Sequence, residues 1–300
     1  MPRFAILEAP SPLGLGPTGV EQLPSALLHA GLLEGLRATH AGRVEPPPHD
    51  PQRDPETRIL NVNGVRAYAS HLANRVGALL DRGLFPVVLG GDCSILLGNL
   101  LALRRRGRYG LLFVDGHADF YQPEASPTGA VSDMDLALVS GRGPAVLADL
   151  EGLGPLVRDE DVAVIGYRDA EEASRFGSRD VRESAMHLFD LNRTQDLGVR
   201  ATAEQAVGTV LANNVEGFWI HCDADVLDDA VMPAVDFRLP GGLSEVDLTE
   251  LLRAAMVARR AVGLDVTVYN PRLDEDGSAA RVLVSALIAG FSELDARPSA

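Results

Sequence analysis

Apolar positions along the chain gather into short unbroken runs, and the stretches between them repeat at helical spacing. Runs at 4–7, 85–89, 111–114, 162–166, 186–189, 217–222 and 264–268 are too short for helices and too uniformly apolar for half-exposed strands. They predict strands buried on both faces, as in a parallel sheet. Between them, 21–36, 61–82, 94–106, 202–213, 245–258 and 278–291 carry apolar residues at helical spacing, with shorter helices expected over 134–140 and 144–150. Ser244 is a suitable N-cap for the helix that follows it. Proline- and glycine-bearing stretches at 43–58, 121–131 and 233–243 read as loops. Strands alternating with helices predict a parallel sheet covered on both sides, with ligands gathered at the carboxyl ends of the strands.

Three of these runs end in chemistry. Leu111-Leu112-Phe113-Val114 leads into Asp115-Gly116-His117-Ala118-Asp119. Gly217-Phe218-Trp219-Ile220-His221-Cys222 leads into Asp223-Ala224-Asp225-Val226-Leu227-Asp228, and Phe85 to Leu89 breaks on Gly90-Gly91-Asp92-Cys93-Ser94. Side chains alternate along a strand, so Asp115, His117 and Asp119 share one direction, as do Asp223 and Asp225. Carboxylates and an imidazole converging on a buried strand end need compensating charge. A divalent cation supplies it. Cys222 belongs on the opposite face from Asp223 and is expected to be buried and remote from metal. Asp228 falls off the Asp223/Asp225 face and is expected to support its loop.

Composition narrows the class. A chain of 300 residues with 46% hydrophobic content can bury a large core, and residues 1–300 are read as one domain. No apolar run approaches the ~20 residues of a membrane span, and no signal-peptide pattern opens the chain, so neither a membrane nor a secreted context is expected. Two cysteines, both beside acidic motifs, read as reduced thiols in a cytoplasmic protein. A net charge of −15 argues against nucleic acid.

In this order the three motifs resemble the ureohydrolase family of arginase, agmatinase and formiminoglutamase, with its Gly-Gly-Asp-His-Ser, Asp-Ala-His-x-Asp and Asp-x-Asp-x-x-Asp segments. The resemblance implies a three-layer α/β/α sandwich, a homo-oligomer, and a hydrolase acting on a non-peptide C–N bond of a small amidine, guanidino or urea-like molecule. It implies two divalent ions, manganese first, with a hydroxide bridging them. Carried over position by position, Asp115 and Asp223 would bridge the ions, Cys93 and Asp119 would complete one, and His117 and Asp225 the other.

The departures from the family pattern shape the rest of the expectation. Cys93 replaces a histidine, and its thiolate favours zinc or another softer metal. The family's active-site histidine has no counterpart in Thr128-Gly129-Ala130-Val131-Ser132-Asp133, leaving Asp119 and then Asp133 as candidates for proton transfer. Tyr121 and Ala130 stand where asparagines would hold an amino-acid end, and Thr128 lies on the same loop. Val268 occupies the place of the glutamate that receives a guanidinium, with Tyr269 beside it, and Glu171 could reach in from another strand end. A metallohydrolase that does not favour free arginine is therefore expected. The alternative is a catalytically silent relative that binds a metal or ligand.

Overall fold

The computed structural model describes residues 2–292. Eight strands form one parallel sheet: β1 (Arg3–Ala9), β2 (Thr39–Arg43), β3 (Leu84–Gly90), β4 (Gly110–Val114), β5 (Val162–Ile165), β6 (His187–Phe189), β7 (Phe218–Asp223) and β8 (Ala261–Thr267), in the order β2-β1-β3-β8-β7-β4-β5-β6. The central strands are buried along their whole length, which is why they read as continuous apolar runs. Pro86 lies in β3 just before its pairing with β8 begins at Val87.

Helices cover both faces. They are α1 (Leu23–His29), α2 (Leu32–Gly35), α3 (Val62–Asp81), α4 (Ile95–Arg104), α5 (Asp135–Val139), α6 (Ala145–Ala148), α7 (Ala170–Arg175), α8 (Leu191–Leu197), α9 (Val199–Leu211), α10 (Glu245–Val257) and α11 (Ser278–Ser292). One apolar layer packs Ile6, Val87, Leu112, Ile220 and Val266 against α1, α9, α10 and α11. The other packs Leu7, Val88, Phe113 and Trp219 against α3, α4, α5 and α6. The result is the expected α/β/α sandwich. Ser244 caps α10 through a reciprocal capping box with Asp247. None of the described helices is long and apolar enough to cross a membrane.

Several elements differ from the pattern-based expectation. The helix expected over 21–36 is split at Gly31, whose φ of 92° ends one helical segment and starts the next. The edge strand β2 went unpredicted because Thr39-His40-Ala41-Gly42-Arg43 has no apolar run and is half exposed. The short helices α7 and α8 bury too few side chains to leave a readable stripe.

Sheet order places the chemistry. The strands carrying the three motifs, β3, β7 and β4, lie around β8 at the centre, and register pairs Val114 with Cys222 and Asp223 with Thr267. Their carboxyl ends therefore open side by side. Packing beneath them is tight: a Cβ added at Gly263 would lie 2.0 Å from Trp219 Cζ3. Gly263→Ala is expected to displace that indole and lower stability by about 1–3 kcal/mol. Urea unfolding followed by the fluorescence of Trp219, the chain's only tryptophan, checks this.

Candidate metal centre

β3 and β4 stop before their ligands and β7 ends on Asp223, so local hydrogen bonds as well as strand alternation aim the side chains. After β4, Asp115 Oδ1 accepts the His117 amide at 2.7 Å, folding the chain over its own carboxylate. After β7, Asp223 Oδ1 accepts the Asp225 amide at 2.8 Å, and Asp225 Oδ1 accepts the Gly116 amide at 3.0 Å. The two acidic loops are thereby tied together. A Cβ at Gly116 would press on the Asp225 carbonyl and on Arg168, whose guanidinium donates to the carbonyls of Asp225, Leu239 and Pro240. After β3, the buried Asp92 accepts the amides of Gly14 and Ser94, while burial pushes its pKa up to about 6.

Two groups of donor atoms result. His117 Nδ1 lies 2.9 Å from Asp225 Oδ2 and 3.7 Å from Asp115 Oδ1. Cys93 Sγ lies 2.8 Å from Asp223 Oδ2 and 3.3 Å from Thr267 Oγ1, within the same few ångströms as Asp115 and His221. Asp115 contributes to both groups. Asp119 belongs to neither of the two groups: its φ of 43° turns the chain, and its carboxyl faces that of Asp135. Asp228 accepts the Ala230 amide and steadies its own loop.

The electrostatics fit a cation. Burial, together with neighbouring carboxylates, pushes Asp119, Asp135 and Asp223 well above the usual carboxylate range. Burial raises the Cys93 thiol too, with Asp223 adding to the effect. Burial also works against Asp115, but the His117 and His221 rings facing it outweigh burial and hold that carboxyl below its ordinary value. Asp115 Oδ2, His221 Nε2 and both oxygens of Asp135 are buried without a hydrogen-bond partner. Orphaned buried acceptors at a thiol–imidazole–carboxylate cluster are what a divalent ion would satisfy.

A cavity opens over this cluster. It is lined by Cys93, His117, Asp119, Asp223 and Asp225 at the floor, and by Tyr121, Thr128, Ala130, Asp133 and Val268 at the sides. Asp133 accepts from Ser126 Oγ and Thr128 Oγ1, and burial pushes its pKa up to about 6. Two expected wall residues are elsewhere. Glu171 projects into solvent from α7 and pairs with Arg175, so Glu172, one residue round the helix, lines the cavity instead. Tyr269 is buried, with its hydroxyl donating to Asp274 at 2.7 Å. The cause is the turn at Val268: its φ is 67° and the Tyr269 amide donates to the Thr267 carbonyl. That is a γ-turn of the rare positive-φ kind, strained for a β-branched residue. It puts Val268 in the cavity wall and sends Tyr269 into the core.

Pattern reading passed over several residues at the site. His221 is two residues before Asp223, so strand alternation already carried its signal. Asp135, at the start of α5, is fully buried. Asp169, just before α7, accepts the Ala118 amide and lines the cavity. Phe176 and Phe237 come from loops without any motif.

Comparison with known proteins places the chain in a class. The Arginase family profile matches residues 3–291, so the chain belongs to the arginase family. It is similar to the arginase of Bacillus caldovelox, 30% identical over 98% of this chain and 99% of that one. The solved structure of the B. caldovelox arginase superposes with a TM-score of 0.89 at 28% identity, covering 98% and 99% of the two chains. The proclavaminate amidino hydrolase of Streptomyces clavuligerus shares the fold, with a TM-score of 0.69 at 19% identity over 96% and 91%.

A thiol that binds metal is shielded from alkylating reagents. With zinc or manganese bound, Cys93 should resist a small alkylating reagent, and chelation should expose it through the cavity. Cys222, fully buried and outside both groups of donor atoms, should be indifferent to metal. Peptide mapping after labelling with and without chelator checks both, and equal labelling of Cys93 in the two states would count against ligation.

Proposed function

We propose that the chain is a metal-dependent hydrolase cleaving a non-peptide C–N bond in a small amidine, guanidino or urea-like molecule, with free arginine a poor substrate. The observation that carries this reading is the convergence of Cys93, Asp115, His117, Asp223 and Asp225 at the ends of β3, β4 and β7, beneath a cavity. When bound, two divalent ions lower the pKa of water and polarise the carbon under attack. Asp115, which offers a donor atom to both groups, would be shared between them, and Asp119 can hold a proton at the cavity floor.

The walls decide the substrate. A guanidinium entering the cavity needs acceptors, and a bidentate carboxylate is its usual partner. Val268 offers none, and Leu15, Tyr121, Phe176 and Phe237 add apolar surface around it. A charged donor left unpaired costs ~1–3 kcal/mol or more, which is roughly tenfold to a hundredfold in affinity. Besides Asp133, Glu172 and Asp169 are wall carboxylates that could receive a cation from another side. The relatives' name makes arginine the first compound to try. Comparison of arginine, agmatine, guanidinobutyrate and formiminoglutamate with neutral ureido and amide analogues, at matched concentration and metal, tests the reading. Efficient urea release from arginine would overturn the substrate part of it. Asp115→Ala should abolish turnover of whichever compound reacts, and absence of turnover across the panel in the metal-loaded wild type would favour a silent metal-binding relative.

Asp133 is the second candidate for proton transfer. With its pKa pushed up to about 6 by burial, it keeps its proton below that pH and loses it above. If it protonates the leaving group, the rate should decline as pH rises through about 6, and Asp133→Asn should remove that limb. An unchanged pH–rate profile in Asp133→Asn would reduce Asp133 to a structural acceptor for Ser126 and Thr128.

A further inference from the structure

His221 lies beneath the metal centre and is fully buried. It points from β7 into the layer of Phe113, whose ring stacks on the imidazole at 4.7 Å with 22° between planes. Asp265 on β8 takes Nδ1 at 2.5 Å. Asp265 is itself held by the Asn99 amide at 3.0 Å and by the Trp219 indole N–H. An acceptor so fully supplied with donors assigns the Nδ1 proton and leaves Nε2 as the bare nitrogen. Nε2 has no hydrogen-bond partner. It faces Asp115 Oδ2, also without a partner, at 3.7 Å, which is too long for a hydrogen bond. Cys93 Sγ and Asp223 close the set, and the four donor atoms lie within 4.8 Å of one another.

We propose that His221 is a ligand of the inner metal ion, together with Cys93, Asp115 and Asp223, and that Asp265 fixes its orientation. This rests on the dinuclear reading above and deepens it. One sulfur, one nitrogen and two carboxylate oxygens make a compact, buried set suited to zinc or cobalt(II) more than to manganese. Asp265 and His221 form the carboxylate–imidazole pairing that orients metal-bound histidines and strengthens them as donors. The second set, Asp115, His117 and Asp225, differs in kind. It has no sulfur, and its His117 is only half-buried, whereas all four members of the first set are buried. The two positions are therefore unequal: a tight inner one and an exchangeable outer one.

Cadmium-113 NMR of the wild-type protein, loaded with 113Cd and labelled with 15N-histidine, tests this without a substitution. The thiolate-bound cadmium, recognised by its downfield shift, should show coupling to one imidazole nitrogen. That coupling should persist in His117→Asn, which removes only the coupling at the other ion. A thiolate-bound cadmium with no imidazole coupling would overturn the assignment of His221 while leaving two ions in place. Failure of the folded protein to retain any cadmium would overturn the dinuclear reading as well. As an affinity measurement, Asp265→Asn should weaken zinc binding at the inner position by about 10–100-fold, and His221→Asn by at least as much. Unchanged zinc affinity in both, with Trp219 fluorescence showing both still folded, would overturn the proposal.

Discussion

Crowding of carboxylates at the carboxyl ends of β3, β4 and β7 is the constraint on which the rest of the molecule depends. Asp115, Asp119, Asp135, Asp223 and Asp225 are all buried within one small region. Amide and side-chain donors satisfy some of their oxygens, as at Asp225 Oδ1 and Asp223 Oδ1. Others, at Asp115 and Asp135, have no donor within reach. Each such oxygen costs free energy unless a proton or a cation meets it. The surrounding sheet therefore has to be stable enough to hold the cluster together, and a bound ion adds to stability in proportion to its affinity.

Asp265 shows the contrasting solution in the same core. Its carboxylate is also fully buried, but Asn99, Trp219 and His221 surround it with donors. Gly263, two residues earlier on β8, makes room for the indole that provides one of them. A glycine, a tryptophan and an aspartate on neighbouring strands thus form one support under His221. Disturbing any of them reaches the site from below.

Much of this was legible because buried parallel strands must be apolar throughout and must end where polar ligands begin. The runs before Asp92, Asp115 and Asp223 placed three strands and their chemistry in one reading. The exposed edge strand at Thr39–Arg43 left no such trace, since an edge needs no continuous apolar run. Residues recruited by tertiary contact were the hardest to see. Asp135 has the local setting of a helix start, and only the packing of α5 over the sheet buries it. Glu171 and Glu172 cannot be separated without knowing which side of a six-residue helix faces the cavity. Tyr269 would have kept its alternation with Thr267 in an unbroken strand, but the γ-turn at Val268 reversed the two faces.

That turn also separates the position of the cavity wall from its chemistry. Val268 is held by its own strained φ, by the Tyr269 amide on the Thr267 carbonyl, and by its amide on the Gly91 carbonyl at 2.8 Å. These are backbone contacts, so they do not depend on which side chain the residue carries. A carboxylate at the same place would enter the cavity along the same direction and meet a cationic substrate there. Valine presents the same wall without an acceptor. The backbone can stay fixed over the acidic cluster while one side chain decides whether that part of the cavity wall offers an acceptor.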